Sequence, residues 1–388
     1  MRTILIIGPG GSGRTTVAAA TALDAARAGI RTLVLSADRG DSLGAALGVA
    51  TGGEPVRVLS HLTAWRPDAT TGFRDDLAGF QDRASTVLDL LGAARLDTEE
   101  VTPLPGAEEL TLLRALRDAA LAEAHDLLVV DLPPTAQALA LLALPEELRR
   151  YLRRLLPPER QAARALRPVL GRLAGVPMPA EWLYETTGRW DMELAAVEAV
   201  LADRRTAVRL VAEPGPAGAD AVRDARLGLA LRALPVESLV ANRVLPEAAA
   251  DGGWLGRLVG QQRKALGEWE GAARTVAHLG HDPRGADDLT ALAVPPVNTA
   301  ASPVEWAVAD RLAEDGVLVW HIPLPGALRD ELDLIRRGDE LVLAAGPFRR
   351  IVPLPSALRR CTVDGAALRD GELRIRFAPD PGLWPQGR

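Results

Sequence analysis

The residues best equipped for chemistry in this chain stand at the ends of short apolar runs. Ile4-Leu-Ile-Ile7 leads into Gly8-Pro-Gly-Gly-Ser-Gly-Arg-Thr-Thr16, where the spacing G-x-x-x-x-G-[basic]-T fits a phosphate-binding loop with Arg14 at the lysine position. Gly10, Gly11, Ser12 and Gly13 can turn backbone N–H groups onto an anion, and a helix opened by Thr15 and Thr16 adds the positive end of its dipole. A tight strand-to-helix turn would explain the glycines but not the Arg-Thr that follows. Asp38 ends Thr32-Leu-Val-Leu-Ser-Ala-Asp38, and a carboxylate at the carboxyl end of a strand lies where open α/β sheets bind ligands. It reads equally well as a helix N-cap. Asp131 ends the apolar run from Asp126 and has the form of a carboxylate that holds the water shell of Mg²⁺. Asn242 ends Val236-Glu-Ser-Leu-Val-Ala-Asn242 with a side chain that can donate and accept along an adenine edge.

The elements that must position these residues alternate. Strands are expected at 4–7, 32–38, 52–60, 62–65, 126–131, 207–212 and 236–242. Helices are expected at 17–27, 73–91, from about 109 to 124, at 136–144, 220–233, 265–276 and 286–292. Strand–helix alternation of this kind makes a mostly parallel sheet covered by helices. Residues 146–200 mix arginine-rich helix with Pro157, Pro158, Pro168, Pro177 and Pro179, and read as an insertion of short helices outside the sheet core. Trp182, Leu183, Trp190 and Met192 would there either form an apolar binding surface or pack on the sheet. The segment 294–315 reads as a linker with a short helix at 304–314. Beyond it the pattern is strands alone, at 317–322, 331–335, 340–344, 348–352 and 373–377, as in a small all-β sandwich. The expected division is an α/β domain over 1–293 and a β module over 316–388.

Composition narrows the function classes. The chain has 388 residues, 48% of them hydrophobic, so it can fill a substantial core. A formal charge of −6 provides no basic field for nucleic acid. Cys361 is the only cysteine, which excludes an internal disulfide and a cysteine-cluster metal site. The N-terminal apolar run is too short for a signal peptide, and no run approaches the ~20 apolar residues of a membrane span, so a cytoplasmic protein is expected. Lys264 is the only lysine, so Arg14 reflects in part a general replacement of lysine by arginine. The exchange still matters at a phosphate, because a compact ammonium becomes a wide planar fork.

Taken together, Gly8–Thr16, Ser36-Ala-Asp-Arg-Gly-Asp-Ser-Leu43, Asp131-Leu-Pro-Pro-Thr-Ala-Gln-Ala-Leu-Ala-Leu-Leu-Ala-Leu-Pro145 and Ala241-Asn-Arg-Val-Leu-Pro246 resemble the ArsA family. That family comprises arsenite-pump ATPases and ATPases that deliver tail-anchored membrane proteins. The tail, through Leu334–Leu341 and Leu354–Arg360, is similar to the α-crystallin-like (small heat-shock-protein-like) module of some ArsA-type proteins. The resemblance implies a P-loop NTPase fold, ATP and Mg²⁺ as cofactors, and dimers with ATP at the interface. It implies that Gly10, Gly11, Ser12 and Gly13 cradle phosphates, with Arg14 in the place of the phosphate-binding lysine. Thr15 would hold Mg²⁺, Thr16 the α-phosphate, Asp131 the metal through water and Asn242 the adenine. Asp38 would orient the attacking water, and the segment after Asp131 would sense the γ-phosphate.

The chain departs from the family pattern at chosen places. The lysine that reaches across the dimer is Pro9 here, and the histidine of the switch segment is Asp41. Arg39 could supply a guanidinium instead. Arsenite, which needs several thiolates, is not an expected ligand, and the cysteine pair that joins targeting dimers through zinc is absent. Two readings follow. In one, an ATPase switches a dimer that handles an apolar or membrane-protein client. In the other, Pro9 and Arg14 mark a nucleotide-binding, hydrolysis-impaired regulatory or scaffolding subunit, paired with itself or with a related ATPase. A chaperone-like role of the β module is a third.

Overall fold

The computed structural model describes residues 1–38, 40–83, 85, 89, 94–155, 181–249, 252–269, 272–297 and 303–384. Eight strands form the main sheet: β1 (Arg2–Ile7), β2 (Thr32–Ser36), β3 (Val56–Leu59), β4 (Leu62–Trp65), β5 (Leu127–Asp131), β6 (Thr206–Ala212), β7 (Val236–Val244) and β8 (Ala273–Ala277). Their order is β3-β4-β2-β5-β1-β6-β7-β8, parallel except for the β3–β4 hairpin. Leu5 of β1 stands between Val130 of β5 and Val208 of β6, so the strand that feeds the glycine loop is central and buried on both faces.

Helices cover both faces. α1 (Arg14–Arg27) and α2 (Ser42–Leu47) pack on one face with a core of Ile4, Ile6, Val17, Val34 and Val129. The other face takes α4 (Ala107–Leu121), which follows α3 (Ala69–Arg83) along the chain, together with α5 (Thr135–Leu155), α6 (Glu181–Ala202) and α7 (Pro216–Leu231). α1 is alanine-rich because it lies flat on the sheet; a larger residue at Ala18, Ala19 or Ala22 would lift it off. α8 (Gly253–Glu268) and α9 (Gly285–Ala291) complete this unit.

Several expected elements differ from those observed. The helix expected at 136–144 runs through Pro145 to Leu155, because Leu139, Leu141, Leu142 and Pro145 are buried on one face. Tertiary packing outweighs the hydrogen bond that proline removes. The short helices expected within 146–200 are, in the described part, the second half of α5 and the 22-residue α6. Leu194, Val197 and Leu201 of α6 are buried, the latter two in the sheet core, rather than lying outside it. Tyr151, Leu155, Trp190 and Met192 are exposed. Residues 156–180, with Pro157, Pro158, Pro168, Pro177 and Pro179, lie outside the described residues, as do the side chains of Trp182 and Leu183. The helix expected at 265–276 ends at Glu268, and 273–277 form the edge strand β8, parallel to β7.

The C-terminal module is a sandwich of two antiparallel sheets. One has the order β14 (Cys361–Arg369), β15 (Glu372–Pro379), β10 (Val317–Pro323), β9 (Val308–Arg311); the other is β11 (Leu332–Arg337), β12 (Glu340–Ala345), β13 (Phe348–Pro353). Residues 304–314, expected as a helix, hold β9 and the start of the single turn α10 (Leu312–Asp315), because β9 finds β10 as a partner. β14 had no counterpart in the sequence reading. Past buried Cys361 its side chains are mostly exposed, so it carries little alternation.

The two units share a core boundary. Leu227 and Leu231 of α7 belong to the β-module core, and Phe348 packs against both cores. Gly228 makes this possible: a Cβ there would meet Leu139 at 2.7 Å and Phe348 at 3.3 Å. The connecting segment is pinned as well. Arg209, fully buried on β6, pairs with Glu237 Oε1 at 2.6 Å and donates to Thr21 Oγ1 and to the carbonyls of Pro295 (2.8 Å) and Pro296 (3.0 Å). Breaking such a pair leaves a buried charge, so Arg209→Ala is expected to cost about 3–5 kcal/mol. Arg209→Met with Glu237→Leu should recover most of that loss. Urea denaturation of the three proteins checks both outcomes.

Candidate nucleotide site at the end of the central strand

Parallel strands bring their carboxyl ends to one edge, and β1, β2 and β5 deliver Gly8, Ser36 and Asp131 there. The loop from Gly8 to Gly13 bends back at this edge. Gly11 and Gly13 take φ of +80° and +83°, which only glycine adopts without strain. α1 begins directly after Gly13, which has no side chain to cap it, so the first-turn N–H groups have neither an intrahelical nor a capping partner from that residue.

The carbonyl side of the loop is tied down. Asn242 Nδ2 donates to the Ser12 carbonyl at 2.8 Å, and Arg243 Nη1 donates to the Gly11 carbonyl at 2.9 Å and to Glu213 Oε1 at 2.7 Å. Arg243 holds φ of +56°, an uncommon conformation for a residue with a side chain. Gln262 of α8 supports that bend, accepting from Leu245 N and donating to the Arg243 carbonyl. With its carbonyls bound from behind, the loop can present N–H groups to an anion. The sequence reading missed Arg243, Glu213 and Gln262; only the adjacency of Arg243 to Asn242 could have signalled any of them.

Asp131 is buried at the floor. Its Oδ2 accepts from Thr15 Oγ1 at 2.7 Å and Ser36 Oγ at 3.0 Å. Burial pushes its carboxyl above the ordinary range, against the opposing pull of Thr15, Arg14 and Ser36. Asp131 Oδ1, Ser12 Oγ and Thr135 Oγ1 are buried with no hydrogen-bond partner among the described residues. Thr135 belongs to the same place, since its N–H donates to the Gly8 carbonyl at 3.1 Å. Three unpaired buried oxygens around one loop are costly unless a ligand shell meets them. Thr15 with Asp131 fits a hard cation such as Mg²⁺, held in part through water.

Arg14 turns inward. Its Nη1 donates to the carbonyl of Leu132, one residue past Asp131, so its charge rests against the β5 end. Pro9 is half-buried in the loop, and its carbonyl accepts from Ser12 N at 3.3 Å. Thr16 and Asn242 line a cleft of about 180 Å³ with Gly13, Ser42, His278 and Arg284. Asn242 thus borders this cleft while holding the loop. Asp38 is exposed beyond β2, where it accepts from Gly40 N and from Ser42 Oγ and lines a cleft of about 490 Å³. It does not cap α2. That role belongs to Asp41, which accepts from Gly44 N at 3.0 Å, Thr51 N at 2.9 Å and Thr51 Oγ1. Arg39 lies outside the described residues.

Burial alone would raise the Asp41 carboxyl, but hydrogen bonds from Thr51 and Gly44, with Arg66 nearby, hold it below the ordinary value. Its stabilisation is therefore complete above the ordinary carboxylate pKa and lost as pH falls through the depressed one. Asp41→Ala is expected to cost about 1 kcal/mol near neutral pH, as loss of an N-cap does. Melting curves across acidic pH should show the gap to the parent closing.

Known proteins agree with this architecture. The family model described as anion-transporting ATPase matches residues 1–273, and that of the HSP20-like domain found in ArsA matches 315–377. An uncharacterized protein of Streptomyces coelicolor is 76% identical over 390 residues, spanning 100% of both chains. A protein of Mycobacterium tuberculosis is 34% identical over 434 residues, covering 99% of this chain and 97% of its own. A protein of Aquifex aeolicus, named as an arsenical pump-driving ATPase, is 26% identical over 400 residues, 97% and 99% of the two chains. No helix among the described residues is long and apolar enough to cross a membrane. The chain belongs to the ArsA family of anion-transporting ATPases and carries that family's HSP20-like domain at its C-terminal end.

Proposed function

We propose that this chain binds ATP with Mg²⁺ at the loop and uses hydrolysis to switch a dimer that handles an apolar or membrane-protein client. One observation carries the reading: Ser12 Oγ, Asp131 Oδ1 and Thr135 Oγ1 are buried and unpaired beside an α1 N-terminus that begins at a glycine. Gly10, Gly11, Ser12 and Gly13 would cradle the phosphates, Thr15 and Asp131 would hold the cation, Thr16 would meet the α-phosphate and Asn242 the adenine. When bound, Mg²⁺ neutralises phosphate charge. Asp38, exposed and braced by Ser42, would orient the attacking water. Exposed Tyr151, Leu155, Trp190 and Met192 on α5 and α6 support an apolar client. Arsenite is not the expected cargo, because Cys361 is the only cysteine and is buried in the β module. The proposed location is the cytoplasm.

A second reading, a nucleotide-binding subunit with impaired hydrolysis, is favoured by one contact. Arg14 donates to the Leu132 carbonyl instead of lying free for phosphate, and Pro9 offers no donor. Such a subunit would act in a homodimer or beside a related ATPase.

Nucleotide titration and Mg²⁺-dependent phosphate release separate the two. On the first reading, Asp38→Asn binds ATP normally and loses activity by about 10²–10⁴-fold, the usual worth of a positioned acid or base. Turnover equal to that of Asp38→Asn, with binding intact, would sink the ATPase reading. A gain in turnover on joint replacement of Pro9 and Arg14 by lysine would then identify a weakened loop. Sedimentation velocity with and without ATP tests the dimer.

A further inference from the structure

A further cavity is remote from the phosphate loop. It has a volume of about 800 Å³ and lies where α5, α6 and the β6–α7 layer meet the β module. That size falls within the ~300–1,000 Å³ of small-molecule sites. One part of its wall is apolar, formed by Leu142, Leu201, Leu234, Val304, Ile351 and Pro353. The other part is a ring of arginines: Arg150, Arg153 and Arg154 from α5, Arg204 and Arg232 from the ends of β6 and α7, and Arg350 from β13.

The charges on this wall do not cancel inside the cavity. Five carboxylates line it, but two are taken from behind. Glu198 is paired with Arg149, and Asp203 with Arg205 at 2.8 Å, neither of which faces the cavity. Glu340 is shared by Arg150 at 3.4 Å and Arg154 at 3.2 Å. Glu146 is shared by Arg350 at 3.1 Å and Arg232 at 3.5 Å; Arg232 has a further, half-exposed partner outside the wall, Glu147, at 3.6 Å. Arg153 donates to the Arg149 carbonyl at 3.3 Å and lies 4.0 Å from Asp191, which is outside the wall. Glu305 is the remaining acid of the wall. Setting aside Arg153, which pairs outside the wall as Glu198 and Asp203 do, five guanidiniums among the described residues of the wall face three carboxylates, two of which serve two arginines each. The Nε–H of Arg150 is buried without an acceptor among the described residues. Arginine forks at this density match a carboxylate or phosphate head, which would supply the missing negative charge.

We propose that this cleft between the ATPase domain and the β module binds a small amphiphilic anion, with its charged head among Arg150, Arg154 and Arg350 and a short apolar tail against Leu142, Leu201 and Ile351. The assignment does not rest on the nucleotide reading. Arg350 also stacks 5.3 Å from the ring centre of Trp306, so the head site is continuous with the β-module core.

Octyl phosphate is the probe, with inorganic phosphate as the head alone and octanol as the tail alone. Calorimetric titration of the full chain, run with ATP and Mg²⁺ present to occupy the phosphate loop, should show one site per chain. Octyl phosphate should bind at least tenfold tighter than either fragment, and more weakly as salt screens the arginines. Arg150→Gln with Arg350→Gln should weaken it by tenfold or more. Glu340→Gln, which releases Arg150 and Arg154 from their shared carboxylate, should tighten it severalfold. That gain cannot come from misfolding or from binding at the phosphate loop. Octanol binding as tightly as octyl phosphate, no binding of octyl phosphate, or indifference to Glu340→Gln would each overturn the proposal.

Discussion

A helix that begins at a glycine exposes backbone donors with nothing of its own to satisfy them, and the α/β domain is built around that deficit. β1 carries the loop to the middle of the sheet, where α1 is buried from Val17 onward along the face that meets the strands. Asn242 and Arg243 grip the carbonyls of Ser12 and Gly11 from behind, which fixes the sense in which the loop faces. The strain of Arg243 at positive φ is held by Gln262 on one side and Glu213 on the other. Unpaired oxygens of Ser12, Asp131 and Thr135 complete a polar cup with Thr15 and Ser36.

One helix runs from the same cup to the β module. α5 starts at Thr135 beside the loop and ends at Leu155, 21 residues later. At 1.5 Å per residue it spans about 30 Å. Its first turns lie under the loop, and its last turns carry Glu146, Arg150 and Arg154 to the β module. Pro145 sits within it and is buried, so the helix is held by its neighbours rather than by an unbroken hydrogen-bond ladder. The connecting segment near Pro295 is fastened by Arg209 to the sheet. The β module is therefore docked through α7, α5 and the connector together, not tethered by a loose linker.

Much of this was legible in the amino-acid order. The Ile-rich run, the glycine loop and the acids at strand ends depend on local spacing, and they point to one edge of a parallel sheet whatever the remaining chain does. The family's segments around Gly8, Asp38, Asp131 and Asn242 stand in their expected order for the same reason. Element types failed where local pattern is weak. β8 and β9 are short edge strands that exist because β7 and β10 offer them partners, and both carry helix-compatible residues. β14 is exposed along most of its length and shows no alternation to read.

What the sequence determined by itself is the existence of a phosphate-type loop, its metal-type carboxylate and a β tail, because each is a matter of residue type and near-neighbour spacing. What only the tertiary structure decided is how those parts are used. Arg14 is a basic residue at the right place in the sequence, yet its fork finds the Leu132 carbonyl. Asp41, not Asp38, caps α2, and Thr51 folds back to meet it. Arg243 becomes part of the loop's support only because β7 runs two strands from β1. Each of these outcomes depends on contacts between residues far apart in the chain, which spacing along it cannot encode.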